Sequence, residues 1–403
     1  MTTKKIEAGI LNNYYILLIF GYFLNVFSSF RPGIFILLLN CILIACHCVT
    51  VFYCHRVHKS VVLAYAVLEI LSIIMFLGQG DSFSVYLNSL IYVVTPMACF
   101  SSGNNTLVDE DKFYKSFLIA ITANNIFGIP CFYLKPQFFV DFIARTNSFG
   151  LEQVLHVAGY GRLITLFGSI ETGVLSAIAV LISILLIRKE SKKLLLIFSI
   201  VVNLSALLLT QQRGALFAFV AFVIALIVQS ALKKEGLIKP SLVIFLVVVG
   251  GVTFGLLSVY KPVVLDWIVT RIKNPTAAIT SRYSYQWDVV VKDTNIFEWI
   301  FGKGLGNKGF FVEINDSYHR IFDNMYFNIL AEVGILGLCM FVYCIIKCAI
   351  KTLNNMALYG ICAIAIFVVA VQGLGTTLIY YPQIMAIYWF SVGRYYQVRN
   401  SEG

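Results

Sequence analysis

The chain has 403 residues, of which 59% are hydrophobic and only 12% are charged, and its mean hydropathy is +0.85. A soluble protein carries about a quarter charged residues, so this composition excludes an ordinary soluble domain and indicates a polytopic membrane protein. The formal net charge is +10, but Lys and Arg are scattered through the joints between apolar segments, which excludes the basic face of a nucleic-acid-binding protein. We expect one integral membrane domain over residues 1–403, with the first apolar run retained as a span.

Apolar segments long enough to cross a bilayer recur along the whole chain. A span needs about 20 apolar residues, and backbone exposed to lipid must satisfy its own hydrogen bonds, so each segment is predicted to be an α-helix. The predicted fold class is all-α, a polytopic membrane protein of about twelve transmembrane helices with a long periplasmic loop that carries short helices. The predicted helices span 12–30, 33–54, 61–79, 84–101, 114–134, 168–187, 192–210, 214–232, 240–260, 324–346, 355–373 and 377–393.

The charges in the joints predict which side each joint faces. One alternate set is rich in cations, among them Arg188, Lys189 and Lys234, whereas the short joints of the other set carry only Arg31 and Arg213. The positive-inside rule places the first set, and both termini, in the cytoplasm. Two longer loops then lie outside, a smaller one over 135–167 and a large one over 261–323, and the large loop holds eight Lys and Arg residues.

The large loop contains a predicted surface helix over 281–293. Tyr283, Trp287 and Val290 fall at i, i+4 and i+7 on one face of it, and Arg282 and Gln286 share another. Residues 295–309 are predicted to be rich in turns. The glycine-rich run 302–306 lacks the strand, the helix and the GK[ST] ending of a phosphate-binding loop, so we interpret it as a turn.

The cysteines and histidines predict neither a disulfide framework nor a metal site. All ten cysteines lie in or at the ends of apolar runs, and none lies in the large loop. A crowded set at the end of the second predicted helix offers no closed four-ligand arrangement of the kind zinc requires; it comprises Cys46, His47, Cys48, Cys54, His55 and His58. We therefore expect a protein without metal or cofactor.

Three arginines are candidate anion ligands. Arg213 lies in a hairpin so tight that its side chain is expected at the membrane boundary, where it is either a snorkelling anchor or a ligand for a negative charge. Arg282 is either an exposed helix charge or an anion clamp, and Arg162 is a further candidate. Guanidinium groups match phosphate oxygens bidentately, so arginines at a membrane surface suggest a lipid-linked phosphate or pyrophosphate.

His319 and Asp323 are the candidate proton acceptors. Both precede the predicted helix that starts near Asn324. Asp323 is either an ordinary helix N-cap or a catalytic group, and His319 is either a solvated loop residue or a general base.

Several short motifs, in this order, resemble those of the bacterial O-antigen polymerases and the related O-antigen ligases. The resemblance covers residues 155–345, approximately, and the first 150 residues share only the hydropathy pattern. The motifs are Gly161-Arg162-Leu163 running to Phe167-Gly168, Thr210-Gln211-Gln212-Arg213-Gly214, Ser281-Arg282 followed by Trp287, Gly304-Leu305-Gly306, and Asp323-Asn324-Met325-Tyr326-Phe327-Asn328 running into Glu332-Val333-Gly334-Ile335-Leu336-Gly337.

This resemblance implies a metal-independent membrane glycosyltransferase of the bacterial inner membrane. It would join undecaprenyl-pyrophosphate-linked oligosaccharide units at the periplasmic face, with a flippase and a chain-length regulator as possible partners. The implied site comprises Asp323, His319 and Arg282 for catalysis and Arg213, Arg282 and Arg162 for the pyrophosphate. The ligases carry a His-Asn pair before the late helix, whereas this chain has Asp323-Asn324, which favours the polymerases.

Two other functions are alternatives. One is an O-antigen ligase, which transfers finished polymer to lipid A-core. The other is a flippase for lipid-linked oligosaccharide, which would show paired halves and charges within its spans; we expect neither in this chain.

Overall fold

The protein is described here by a computed structural model. It describes residues 2–27, 83–97, 108–146, 162–187, 193–233, 277–292, 294–308, 323–354 and 356–401, with short pieces at 38–39, 41–42, 45, 73–74, 99–100, 251 and 255. The predicted spans 33–54, 61–79 and 240–260 fall almost wholly outside these residues, as does His319.

Every element longer than one turn in the described part of the chain is helical, which confirms the all-α prediction. In chain order the helices are α1 (Thr2–Asn12), α2 (Tyr14–Phe27), α3 (Phe83–Val94), α4 (Glu110–Leu134), α5 (Gln137–Thr146), α6 (Ser169–Leu186), α7 (Lys193–Thr210), α8 (Arg213–Lys233), α9 (Ala277–Val291), α10 (Ile296–Phe301), α11 (Met325–Asn354), α12 (Met356–Gln372) and α13 (Pro382–Ser401).

Four of these helices are long and apolar enough to cross a membrane, namely α4, α6, α7 and α11. The pair α1 and α2, bent by 60° at Asn13, makes a fifth if it forms one broken span, and α8 and α12 contain shorter apolar stretches. The chain is thus a helical membrane protein. Twelve spans and a periplasmic large loop stay predictions, because parts of the chain that they require lie outside the described residues.

Two observed helices differ from the predicted elements at their N-termini, and side-chain caps explain both differences. Helix α4 begins four residues before the predicted start at 114, because the Asp109 side chain accepts a hydrogen bond from the Lys112 amide at 3.2 Å and caps it. The segment after Asn295 was predicted to be turns, but it begins with α10. Asn295 and Glu298 form a reciprocal capping box there.

Helix α6 is the centre of the bundle. It packs against α4, α7, α8, α12 and α13, and its side chains are buried almost without interruption from Thr172 to Ile184. A helix that is apolar on all sides has no preferred solvent face, so it lies inside the bundle, away from lipid or water.

A buried polar network joins α4, α6 and α7 through this apolar core. Asn125 Nδ2 donates to Ser176 Oγ at 2.9 Å and to Asn203 Oδ1 at 2.8 Å, and Asn203 Nδ2 donates to Thr122 Oγ1 at 2.9 Å. Asn124 Nδ2 donates to Thr165 Oγ1 at 2.8 Å. Amide and hydroxyl groups hydrogen-bond across helices in membrane proteins and set their register, so this network aligns three helices of the core.

The two ends of the bundle are defined by different contacts. At one end, Arg394 Nε lies 3.4 Å from Glu110 Oε2 and Tyr395 Oη donates to the Lys347 carbonyl at 3.0 Å. At the other, α7 and α12 end while α6, α8, α11 and α13 begin, and we call this the Gln212 end. Charge patterning predicts that the Gln212 end is periplasmic.

Candidate functional site

Helix α11 is broken at Gly334, and the break creates acceptors for a distant loop. Gly334 has φ +75° and ψ −175°, a conformation outside the helical region. The Ala331 carbonyl accepts from the Lys303 amide at 2.7 Å, and the Glu332 carbonyl accepts from the Gly304 amide at 3.1 Å. The glycine-rich turn therefore supplies the donors that the broken helix no longer supplies for itself.

Two glycines permit this contact, which we call the glycine interlock (residues 302–304 against 331–334). Gly302 has φ +81°, and a Cβ there would lie 2.2 Å from the Glu332 carbonyl oxygen. A Cβ on Gly334 would lie 2.3 Å from the Ile300 carbonyl oxygen. Both positions require positive φ and close backbone approach, which glycine alone provides without strain. The structure confirms that 302–306 is a turn, and its Lys303 and Gly304 amides serve a helix rather than a phosphate.

Glu332, which lies in the middle of the break, is held by a dense set of donors. It is fully buried, and Tyr380 Oη lies 2.6 Å from each of its carboxylate oxygens. Asn328 Nδ2 donates at 3.2 Å, and the Gly306 and Lys308 amides also hydrogen-bond to it. Burial, and then the neighbouring Glu332 carboxylate, raises the pKa of Tyr380 well above its ordinary value, so Tyr380 stays a donor.

Sequence reasoning noted Glu332 only as part of a motif and missed its role, and the expectation that the spans carry no charges is wrong at this residue. The signal that could have found it is its position inside a predicted span, because an intramembrane carboxylate calls for a named partner. The partner, Tyr380, is 48 residues away in the turn between α12 and α13.

Helix α9 carries Arg282 and packs on the start of α11. Its predicted face is confirmed: the Tyr283 and Trp287 rings lie 5.8 Å and 5.6 Å from the Phe327 ring, and Val290 is buried with Leu330 and Ala331. Lys303 Nζ donates to the Lys292 carbonyl at 2.9 Å, which ties the glycine interlock to the end of α9. Arg282 is therefore carried by a helix that is docked on α11 rather than free in the loop.

The N-cap of α11 is Asn324, so the interpretation of Asp323 as the cap is wrong. Asn324 Oδ1 accepts from the Tyr326 amide at 2.9 Å and the Phe327 amide at 3.0 Å. Asp323 is partly exposed. Burial, and after it the charge of the Asp323 carboxylate, raises the pKa of Tyr283.

The tight hairpin with Arg213 meets two other segments at the Gln212 end. Arg213 is the exposed first residue of α8, two residues after Gln211, which has φ +55°. The Leu163 amide, next to Arg162, donates to the Leu209 carbonyl at 3.0 Å. Gly214 backs onto Gln372, and a Cβ on Gly214 would lie 2.2 Å from Gln372 Oε1.

The same turn after α12 also holds the start of α11. The Met325 amide donates to the Gly373 carbonyl at 2.8 Å, and Tyr283 Oη donates to the Leu374 carbonyl at 2.5 Å. The segments that carry Arg213, Arg282 and Asp323 are therefore anchored at one end of the bundle through the turn 372–376. The segment that carries Arg162 is anchored at the same end through Leu209. Within the described residues no group of three His, Cys, Asp or Glu side chains is placed to hold a metal ion.

The comparison with protein families gives one match. A family described as O-antigen ligase matches residues 198–342, which includes most of α7, all of α8, α9 and α10, the glycine interlock and the first half of α11. No curated protein and no solved structure matches the chain significantly.

Replacing Gly334 tests the glycine interlock. We expect Gly334→Ala to lower the free energy of unfolding by at least about 2 kcal/mol, because alanine is strained at φ +75° and its Cβ meets the Ile300 carbonyl. Thermal unfolding of the detergent-solubilised protein measures this. Gly9→Ala is the control, because Gly9 lies inside α1, without positive φ, and nothing lies within 4 Å of the position of its Cβ. Equal melting temperatures for the two variants would contradict the interlock.

Proposed function

We propose that this chain, which is related to the O-antigen polymerases and ligases, is an O-antigen polymerase. It would transfer one undecaprenyl-pyrophosphate-linked saccharide onto another at the periplasmic face of the inner membrane. The observation that carries the proposal is the convergence at the Gln212 end of four segments that are far apart in the chain and that carry Arg162, Arg213, Arg282 and Asp323.

The arginines supply what the leaving group of such a reaction needs. When the anomeric carbon of the donor is attacked, its bond to the pyrophosphate oxygen breaks and negative charge develops on the pyrophosphate. Arg213 is exposed at the first position of α8, where the partial positive charge of the helix N-terminus adds to that of the guanidinium. Preorganised cations at that point stabilise the transition state, so no metal is required.

Asp323 and His319 are the proposed proton acceptors. An acceptor sugar hydroxyl needs a base within about 3 Å, directly or through one water. The cap of α11 is provided by Asn324, the residue after Asp323. Tyr283, on the helix that carries Arg282, and Met325, two residues after Asp323, donate to adjacent carbonyls of the turn after α12, so the same turn supports the proposed base and the proposed anion ligand.

The polymerase is preferred to the ligase because of the residues before α11. The ligases carry a His-Asn pair there, and this chain has Asp323-Asn324. The ligase is the second candidate, since the matching family is described by that name. Both candidates use the same donor chemistry, and they differ in the acceptor.

A deletion strain distinguishes the two candidates. Loss of a polymerase leaves one repeat unit on the lipid A-core, whereas loss of a ligase leaves the core bare while long chains stay on the lipid carrier. Gel analysis of the surface polysaccharide, with re-expression of the chain as the control, measures this. We expect the single-repeat pattern. A bare core would show that the chain is the ligase instead.

The arginines are tested by paired substitutions. We expect Arg213→Ala and Arg282→Ala each to abolish polymer while the protein stays in the membrane. Lysine at either position should restore only part of the chain length, because a point charge cannot reproduce a bidentate fork. Arg145→Ala is a matched control: Arg145 also lies in a predicted outer loop, but it binds the Asn25 and Val26 carbonyls. Full-length polymer in both alanine variants would rule out the pyrophosphate role.

The base is tested by two variants assayed together. Asp323→Asn should lose polymer without a change in melting temperature, because the cap is provided by Asn324, whereas Asn324→Ala should cost about 1 kcal/mol of stability. His319→Ala tests the second acceptor. Polymer retained in Asp323→Asn but lost in His319→Ala would assign the base to His319, and retention in both would leave the reaction to arginine electrostatics.

A further inference from the structure

A row of buried polar side chains at the Gln212 end has no role in the chemistry proposed above. It consists of Gln212, Gln372 and Gln383 with Ser169 and Glu171, and we call it the amide row. Its members come from the starts of α6, α8 and α13 and from the end of α12. The three glutamines are more than nine-tenths buried, and Ser169 and Glu171 are partly exposed.

The row consists of two hydrogen-bonded parts. Gln383 Nε2 donates to Glu171 Oε1 at 3.0 Å, and Gln372 Nε2 donates to Gln212 Oε1 at 3.4 Å and to Thr376 Oγ1 at 3.2 Å. Gly173, two residues after Glu171, packs against Gln212, since a Cβ at Gly173 would lie 2.6 Å from Gln212 Cγ. Both parts therefore lie against the first turns of α6.

Four atoms of the row have no hydrogen-bond partner among the described residues: Ser169 Oγ, Gln212 Nε2, Gln372 Oε1 and Gln383 Oε1. The number of unpaired atoms does not depend on how the two amides are oriented. If the nitrogen and oxygen were exchanged in both Gln212 and Gln372, one donor and one acceptor of the pair would still lack partners. An unsatisfied buried polar atom is destabilising and needs an explanation. Four of them in one row indicate a site that is completed by a ligand.

The chemistry of the row selects among ligands. An anion is disfavoured, because Gln372 Oε1, Gln383 Oε1 and Glu171 are acceptors. A cation is disfavoured by the Gln212 Nε2 donor and by Arg213, the next residue. Neighbouring sugar hydroxyls each donate and accept, and a set of neutral amides with one hydroxyl and one carboxylate matches that pattern.

From this we infer that the amide row binds the hydroxyl groups of the saccharide attached to the lipid pyrophosphate. The inference rests on the proposed function, in which Arg213 holds the pyrophosphate of the donor. Because Gln212 adjoins Arg213 in the chain, the sugar next to the pyrophosphate is the one within reach. The row is partly exposed at Ser169, Glu171 and Thr376, so the sugar would enter there, and its binding requires the covered glutamine side chains to rotate toward it.

The row then makes the site selective for sugar. A site built to hydrogen-bond a hydroxyl rejects an analogue that lacks it, because its own buried groups stay unpaired. The two arginines recognise the part shared by all lipid carriers, and the amide row recognises the part that differs between them.

The experiment measures binding of two probes to the full chain in lipid nanodiscs: undecaprenyl pyrophosphate, and the same lipid carrying the repeat unit of the host strain. We expect the wild type to bind the glycosylated lipid at least about 10-fold tighter, since each hydrogen bond to a hydroxyl contributes roughly 5-fold to 10-fold. Gln212→Leu and Gln372→Leu should reduce this preference to less than about 3-fold while affinity for the bare lipid stays the same. Gln229→Leu, a buried glutamine near the other end of α8, is the control and should behave as the wild type.

The melting temperature separates binding from structure. If the row waits for a ligand, leucine at Gln212 or Gln372 removes an unpaired polar group, and the unliganded protein should melt at the same or a higher temperature. A preference for the glycosylated lipid that survives in both variants, or a marked drop in their melting temperatures, would overturn the inference. A wild type that binds neither lipid would instead overturn the proposed function, and the inference with it.

Discussion

The break in α11 at Gly334 is the constraint on which the rest of the site depends. A membrane helix cannot leave backbone carbonyls unpaired in lipid, because no water is there to replace the lost donors. Here the amides of Lys303 and Gly304 replace them, so the large loop is bonded to the helix in a fixed register. Glu332 extends the same contact outward, since it gathers Tyr380, Asn328 and the loop amides around one buried carboxylate. The loop supplies the backbone donors, and the broken helix supplies the backbone acceptors, so each completes the hydrogen bonding of the other.

A series of contacts links this interlock to the proposed site. Lys303 ties the interlock to the end of α9, and α9 packs its aromatic face on Phe327. Helix α9 carries Arg282, and its Tyr283 hydroxyl donates to the turn after α12, which also binds the start of α11 beside Asp323. That turn also contacts the hairpin of Arg213 through Gln372 and Gly214. Arg213, Arg282 and Asp323 therefore each lie in a helix or directly beside one.

The interior follows a second principle, in which polar groups give apolar helices a unique alignment. Leucine-rich and isoleucine-rich surfaces slide past one another with little penalty, whereas the Asn125, Asn203 and Ser176 side chains bond at one register only. This network fixes α6 against α4 and α7, and the first turns of α6 then carry Ser169 and Glu171 to the Gln212 end. In the core network one atom, Asn124 Oδ1, lacks a partner among the described residues, whereas the row at its end has four such atoms.

The sequence by itself determined the class of the protein, most helix boundaries, the amphipathic face of α9 and the turn at 302–306, because these follow from local composition and periodicity. It also singled out Arg162, Arg213, Arg282 and Asp323 as unusual for their membrane setting. Only the tertiary structure decided that Asn324 rather than its neighbour Asp323 caps α11, because two adjacent residues of capping type cannot be told apart by their sequence. The structure alone also paired Glu332 with Tyr380 and brought three glutamines from three helix termini into one row. These last two facts depend on contacts between residues 48 to 212 positions apart, and the local sequence does not indicate which distant segment supplies a missing donor.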